Sequence, residues 1–345
     1  MASTNSDARA GLDLGDEALN VAIPDGLDRV EARLREVLSA GETFLTDKIS
    51  HLALSGGKRF RPMFALLAAE YGKNAPSEQR DAAEVDAAVI DAAVVVELTH
   101  LATLYHDDVM DEADRRRGAP SANARWSNSV AILAGDYIFA VASRLMADLG
   151  TDTVRHFADT FGELVTGQMR ETVGATEGAD AVEHYLQVIQ EKTGVLIASA
   201  GYLGALHSGA AAGHRDALFR FGRHMGQVFQ IVDDIIDIWS DPEDSGKIPG
   251  TDLREGVFTL PVLYAMNEDN AGGERLRELL TGPVTDDALV DEALTLIRAS
   301  GGRQRAEEVV ERYRGYGEDE LAKLPDAPAT DALRQLMEFS LQRLG

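Results

Sequence analysis

The chain contains no cysteine. Disulfides, thiolate metal ligands and a cysteine nucleophile are therefore excluded. Lysine is nearly as scarce: Lys48, Lys58, Lys73, Lys192, Lys247 and Lys323 are the only six, and arginine supplies the other 27 positive charges. Where arginine is preferred this strongly, each retained lysine becomes a candidate for a specific role. Long apolar runs are missing as well, because Asp, Glu or His interrupts each one before the ~18 residues that a membrane-crossing helix needs. The first twenty residues are polar and lack the apolar stretch of a secretory signal. Nor is there an excess of positive charge. A net charge of −25 excludes recognition of nucleic acid through a general basic field and suits multivalent cations as partners. These absences describe a cytoplasmic protein with no transmembrane segment.

What is present is helix. With 345 residues, 45% of them apolar, the chain can bury a substantial core. Residues 1–24, rich in Ala, Asp, Ser and Gly, read as a flexible N-terminal tail. From residue 26 the apolar positions fall at helical spacing; "LDRVEARLREVL" places Leu27, Val30, Leu34, Val37 and Leu38 on one stripe. Further helical windows run over 43–54, 60–72, 85–111, 128–149, 152–171, 181–208, 213–239, 259–267, 274–280, 287–299, 303–322 and 328–343. Turn chemistry separates several of them, as in "GKNAPSEQ", "SDPEDSGKIPG" and "LPDAPAT". No alternating strand pattern of useful length occurs, and no linker is long enough to separate a second domain from the first. The expected fold is all-α, one domain over 25–345. Two windows, 85–106 and 217–232, are apolar nearly all round and belong at the centre of a bundle.

Both central helices end in the same pattern. The first ends at Asp107, Asp108 and Asp111, and the second carries Asp233, Asp234 and Asp237, each set spaced DDxxD. On a helix, positions i, i+1 and i+4 project to one side. Three like charges gathered at the end of an apolar helix are costly unless a cation sits among them. Mg²⁺ suits that place: it takes carboxylate oxygens, keeps waters and shares its remaining positions with phosphate. One such triplet is a common solvated helix end. Two, each closing an apolar helix, are not.

A diphosphate ligand would bring cationic side chains to the same place. "SGGKRFRP" supplies Lys58 and Arg61, and "RRRG" after the first triplet supplies Arg116 and Arg117. Lys192 lies in "QEKTG", and Lys247 in "DSGKIPG" after the second triplet. Arginine offers a bidentate fork to phosphate and lysine a point charge. His100, two turns before Asp107, is either a satisfied core histidine or a phosphate donor. His106 is a candidate second layer around the first triplet.

In order along the chain, "GGKRFRP", "HLATLYHDDVMDEADRRRG", "GDYIF", "GQ", "KTG", "FQIVDDIIDIWSD", "SGKIPGTDLREG" and "TLPVL" resemble the all-trans isoprenyl diphosphate synthases, the polyprenyl synthetase family. The resemblance implies a bundle of mainly antiparallel helices around a deep apolar cavity, assembled as a homodimer. It implies that the two triplets face each other across three Mg²⁺, for which Mn²⁺ substitutes, and an allylic diphosphate. That substrate ionises and is attacked by the double bond of isopentenyl diphosphate. By the same resemblance Arg116, Lys192, Thr193, Gln230 and Lys247 contact the allylic diphosphate, while Lys58, Arg61, His100 and Arg117 hold isopentenyl diphosphate.

Two positions qualify the likeness. Many relatives carry a second lysine in "DLREGK", where this chain has Val257; a weaker diphosphate contact is expected there. Short-chain relatives place a bulky aromatic four or five residues before the first Asp, where this chain has Thr103 and Ala102. A deep tunnel is therefore expected, with products of about thirty carbons or more for quinone side chains, and contact with a membrane surface as product leaves. The alternatives are a farnesyl or geranylgeranyl diphosphate synthase, a class I terpene cyclase, and a non-catalytic synthase subunit. The cyclase should show an NSE-type second metal motif, and the subunit degraded aspartates; neither is present.

Overall fold

Several helices begin at an oxygen-bearing side chain that caps them. Asp16 accepts from the Leu19 amide to open α1, Glu17–Ser39, and Ser127 accepts from the Val130 amide to open α7, Asn128–Leu149. The computed structural model describes residues 13–73, 81–239 and 249–344. Between α1 and α7 lie α2 (Thr43–Ile49), α3 (His51–Leu54), α4 (Phe60–Ala69), α5 (Ala82–Met110) and α6 (Ala122–Arg125). A two-residue hairpin, β1 Arg115–Arg116 against β2 Ala119–Pro120, is the only strand pairing among the described residues. After α7 come α8 (Thr151–Val173), α9 (Ala181–Ile189), a π turn over Gln190–Gly194, α10 (Val195–Ser208) and α11 (Ala212–Trp239). Then follow α12 (Thr251–Glu255), α13 (Leu260–Met266), α14 (Ala271–Leu279), α15 (Asp287–Ala299), α16 (Gly302–Leu321) and α17 (Pro328–Leu341). The all-α expectation holds.

The tail expected through residue 24 is shorter. α1 starts at Glu17, and Leu19 and Ile23 extend its buried stripe of Leu27, Val30, Leu34 and Leu38. A polar composition conceals two more turns of amphipathic helix; residues 1–12 lie outside the described residues.

The chain gathers into two compact units built from interleaved stretches: Met1–Phe161 with Leu196–Gly222 and Glu320–Leu336, and Gly162–Val195 with Arg223–Asp319 and Met337–Gly345. The stretch expected to form one domain is distributed over both. In the first unit α5 is the core helix. Val94, Val95, Val96, Leu98 and Leu101 on it are wholly buried, and it packs chiefly on α7, then on α4 and α1. Backbones approach closely here: a Cβ at Gly204 would fall 2.0 Å from the Ala65 carbonyl oxygen. In the second unit Val228, Ile231, Val232 and Ile235 of α11 pack with Tyr185, Ile189, Leu260 and Val310. A neighbouring cluster joins Ile238, Leu253, Val262, Leu276, Val290 and Ile297.

By length and composition α5 and α7 are apolar enough to cross a membrane, with mean hydropathies of 1.7 and 1.6 over their best windows. The acids and histidine of α5 therefore break its apolar run less than the sequence pattern suggests. Burial of that run within the unit accounts for its hydropathy: α5 behaves as a core helix.

One half-buried histidine ties α8 to α10. His156 Nε2 lies 3.0 Å from Ser199 Oγ, its ring stacks on Tyr202 at 4.1 Å, and burial pushes its pKa down to about 4. The folded value lies below the ordinary one of about 6.5, so the unfolded chain binds the extra proton as pH falls. Stability from this residue is complete above about pH 6.5 and is lost between there and pH 4. His156→Gln should flatten the decline in unfolding free energy, read from urea titrations, between pH 7 and 4.5 by up to about 1.4 kcal/mol per pH unit. Parallel declines in mutant and parent would refute this.

Candidate active site

The first aspartate triplet closes α5. Asp111 caps the helix, Glu112 turns into the left-handed region at φ 50°, and the Ala113 amide returns to the Asp108 carbonyl at 3.0 Å. That bond is a Schellman closure, which frees the chain to reverse. The hairpin that follows turns on Arg117 and Gly118, both with positive φ, as a two-residue connection of this hand requires. It folds the arginines back onto the acids: Arg116 Nε donates to Asp108 Oδ1 at 2.6 Å, and Arg116 Nη2 stands 3.9 Å from Asp111 Oδ2. Asp108 is wholly buried. Its pKa is raised because burial outweighs the Arg116 charge.

Arg117 diverges from its neighbour. Its Nη1 donates to the carbonyls of Gly56 (2.5 Å) and Leu52 (3.2 Å), and its guanidinium lies against Gly57. Both glycines belong to the "GGKRFRP" segment, where Lys58 is exposed and Arg61 half-buried. Arg61 Nε is sealed from water without a hydrogen-bond partner, and burial pulls its pKa down to about 10. His100 lies within the field of Arg61, Arg117, Arg59 and Arg116. Burial and then those charges hold its pKa well below the usual range, which favours the neutral imidazole. Arg61, Arg117 and His100 are thus gathered in one electropositive recess.

Arg59, Glu31 and Glu97, missed in sequence, underlie this recess. Arg59 is buried and binds both acids. Glu97 does give a signal, as an acid inside the apolar run "AAVVVELTHL". His106 does not serve the triplet. Its Nε2 faces the Ile132 carbonyl (3.2 Å) and Asp136 (3.4 Å) on α7, because Gly135 lets α7 approach so closely that a Cβ there would lie 2.4 Å from the imidazole. Ala102 is buried, and Thr103 is half-buried with its hydroxyl on the His100 carbonyl at 2.9 Å.

The second triplet lies near the end of α11. Asp234 is 4% exposed; Tyr185 donates to its Oδ2, and Gln230 Nε2 to its Oδ1 at 2.9 Å. Thr193 Oγ1 donates to Gln230 Oε1 at 3.1 Å, completing a chain from the π turn to the carboxylate. Burial, opposed by these donors but aided by Asp233 and Asp237, pushes the Asp234 pKa up to about 7. Asp233 pairs with Arg343 at 2.5 Å, and Asp237 accepts from the Gly250 amide through its carbonyl.

The window 181–208 reads in sequence as one helix, but the π turn interrupts it. The turn sets Lys192 on Glu171 and Thr193 on Gln230, the kind of functional bulge that periodicity hides. Tyr185 and Arg343 carry no sequence signal, since they meet their aspartates only through tertiary packing. Val257 is 36% exposed beyond the left-handed Gly256. Lys247 lies outside the described residues.

Among the described residues no three acids or histidines are already gathered as metal ligands, but one oxygen of the first triplet suits a divalent cation. Asp108 Oδ2 is buried without a hydrogen-bond partner, a cost of roughly 1–3 kcal/mol that a hard cation would remove. The sequence profile of the polyprenyl synthetase family matches residues 42–297. Nonaprenyl diphosphate synthase of Mycobacterium tuberculosis is 54% identical over 336 residues, covering 97% of this chain and 98% of that protein. The chain belongs to the polyprenyl synthetase family. A solved geranylgeranyl pyrophosphate synthase from Corynebacterium glutamicum, complexed with calcium and isoprenyl diphosphate, is similar at TM-score 0.84 and 59% identity, covering 97% of this chain and all of that one. A decaprenyl diphosphate synthase from Rhodobacter capsulatus is similar at TM-score 0.83 and 31% identity, covering 95% and 99%. This chain is a prenyltransferase with the all-α isoprenoid synthase fold.

Proposed function

We propose that the chain condenses isopentenyl diphosphate with an allylic diphosphate, head to tail and in trans, with Mg²⁺. The product is a polyprenyl diphosphate of about thirty carbons or more, made by a cytoplasmic homodimer. The sealed, partnerless Asp108 oxygen beside Arg116 carries this reading: it marks a place prepared for a cation and an anion together. Exposed Val165, Met169 and Val173 on α8 support contact between copies.

The aspartates Asp107, Asp108, Asp111, Asp233, Asp234 and Asp237 hold the metals. Bound there, Mg²⁺ supplies Lewis-acid stabilisation of the departing diphosphate. Arg116, Lys192, Thr193, Gln230 and Lys247 grip the allylic diphosphate. Arg61 and Arg117 stay cationic at neutral pH although burial lowers their pKa, so with Lys58 they retain charge to hold isopentenyl diphosphate. Neutral His100 donates one N–H to the same group. Ionisation gives an allylic cation, the isopentenyl double bond closes on it, and the proton leaves with the departing diphosphate. No side-chain base is needed.

The names of the relatives differ in chain length. The small side chains of Ala102 and Thr103 favour the long product, as do the nonaprenyl and decaprenyl relatives. The geranylgeranyl relative favours a twenty-carbon product, and sizing the products decides between them.

EDTA should abolish turnover and Mg²⁺ restore it, while Asp107→Ala and Asp233→Ala should each lower kcat by roughly two orders of magnitude or more. Full activity in metal-free buffer would remove the metal from the mechanism. Lys58→Ala should chiefly raise KM for isopentenyl diphosphate and Lys192→Ala that for the allylic substrate; if both weakened the same substrate, the division of cations would be wrong. Ala102→Tyr should shorten products to about fifteen to twenty carbons at a near-normal first condensation. Chromatographic sizing reads the result, and an unchanged distribution would place the tunnel on another face of α5.

A further inference from the structure

Within "GGKRFRP", Lys58 and Arg61 have a place in substrate binding and Arg59, between them, has none. Its side chain is 1% exposed, so a diphosphate cannot reach it. Instead its fork spends donors on three separate elements. Nε goes to Glu31 Oε1 on α1 at 2.5 Å, Nη1 to Glu97 Oε1 on α5 at 2.6 Å, and Nη2 to the Ala53 carbonyl of α3 at 2.8 Å. Its backbone sits in the left-handed region, φ 51° and ψ 37°, immediately before α4. A non-glycine residue holds that conformation only when its surroundings over-determine it.

Glu97 lies one turn before His100 on α5, and its charge acts on both Arg61 and Arg117. Without Arg59, this carboxylate would be a buried anion seeking another partner. Arg61 and Arg117 are the cations within its field.

We propose that Arg59 is a positioning residue for the isopentenyl diphosphate subsite: it staples the 55–59 loop to α1, α3 and α5, and it occupies Glu97 so that Arg61 and Arg117 remain available to the substrate. The inference rests on the assignment of Lys58, Arg61, His100 and Arg117 to that substrate. Lysine keeps the charge but offers one compact ammonium, which cannot serve three diverging acceptors as the planar fork does.

Steady-state kinetics of Arg59→Lys and Glu31→Gln, with both substrates varied in turn, test this, and thermal unfolding of each variant runs alongside. Arg59→Lys should raise KM for isopentenyl diphosphate by about tenfold and leave the allylic KM within about twofold. Glu31→Gln, which removes one arm and leaves Glu97 occupied, should give a smaller rise of the same kind. A second substitution, Glu97→Gln on Arg59→Lys, should recover some of the lost affinity, because it removes the competing anion. Equal changes in both KM values, or a lower kcat and unfolding temperature with KM unchanged, would show a merely structural role and overturn the proposal. If Arg59→Lys does not fold, the Glu31→Gln split decides alone. Lys58→Ala is the control. If it too leaves the isopentenyl KM unchanged, the subsite assignment has failed; if it raises that KM while Arg59→Lys and Glu31→Gln do not, only the role of Arg59 has failed.

Discussion

Burying like charges together is the constraint on which the rest of this structure depends. An unpaired ion inside a protein costs several kcal/mol, so a site that must crowd carboxylates and guanidiniums has to supply counter-charges from its own fold. In the first unit it does so with arginines. Arg116 returns along a hairpin to Asp108, and Arg59 lies between Glu31 and Glu97. The backbone distortion this demands is concentrated there. Arg59, Glu112 and Arg117 are the non-glycine residues with positive φ among the described residues, and all three belong to the loop, helix end and hairpin around this recess.

The second unit sets Arg343 on Asp233 but holds Asp234 with neutral donors. Tyr185 and Gln230 occupy both oxygens of Asp234, and Thr193 in turn orients Gln230. Hydroxyl and amide donors satisfy a carboxyl's oxygens without adding charge; burial outweighs them and leaves Asp234 far more easily protonated than an ordinary aspartate. The two triplets are alike in sequence and differently held.

Much of this is legible in the sequence alone. The helix windows follow apolar spacing, and the paired DDxxD triplets stand out because acids at the ends of apolar helices demand an explanation. The diphosphate cations stand out because lysine is so rare. The failures have physical reasons. The start of α1 is hidden by polar composition. The π turn is hidden because "QEKTG" has no apolar residue whose spacing could register the added one. His106 is misplaced because its direction is set by Gly135 on another helix. Arg59 escapes notice because, in sequence, a buried arginine looks the same as an exposed one beside it; only Glu97 hints at it.

The π turn also limits how this stretch of chain can change. It holds one more residue than an α-helix of the same rise would. Losing one of residues 190–194 would let the ordinary helix re-form with nearly the same turn and rise, so α9 would keep its facing. Tyr185 would stay beside Asp234, but Lys192 and Thr193, the side chains that the bulge carries, would be re-aimed although neither had been altered. Substitutions here are judged residue by residue, but a change in length is judged all at once. The spacing from Tyr185 to Thr193 should therefore be more rigid over descent than the identities of the residues between them.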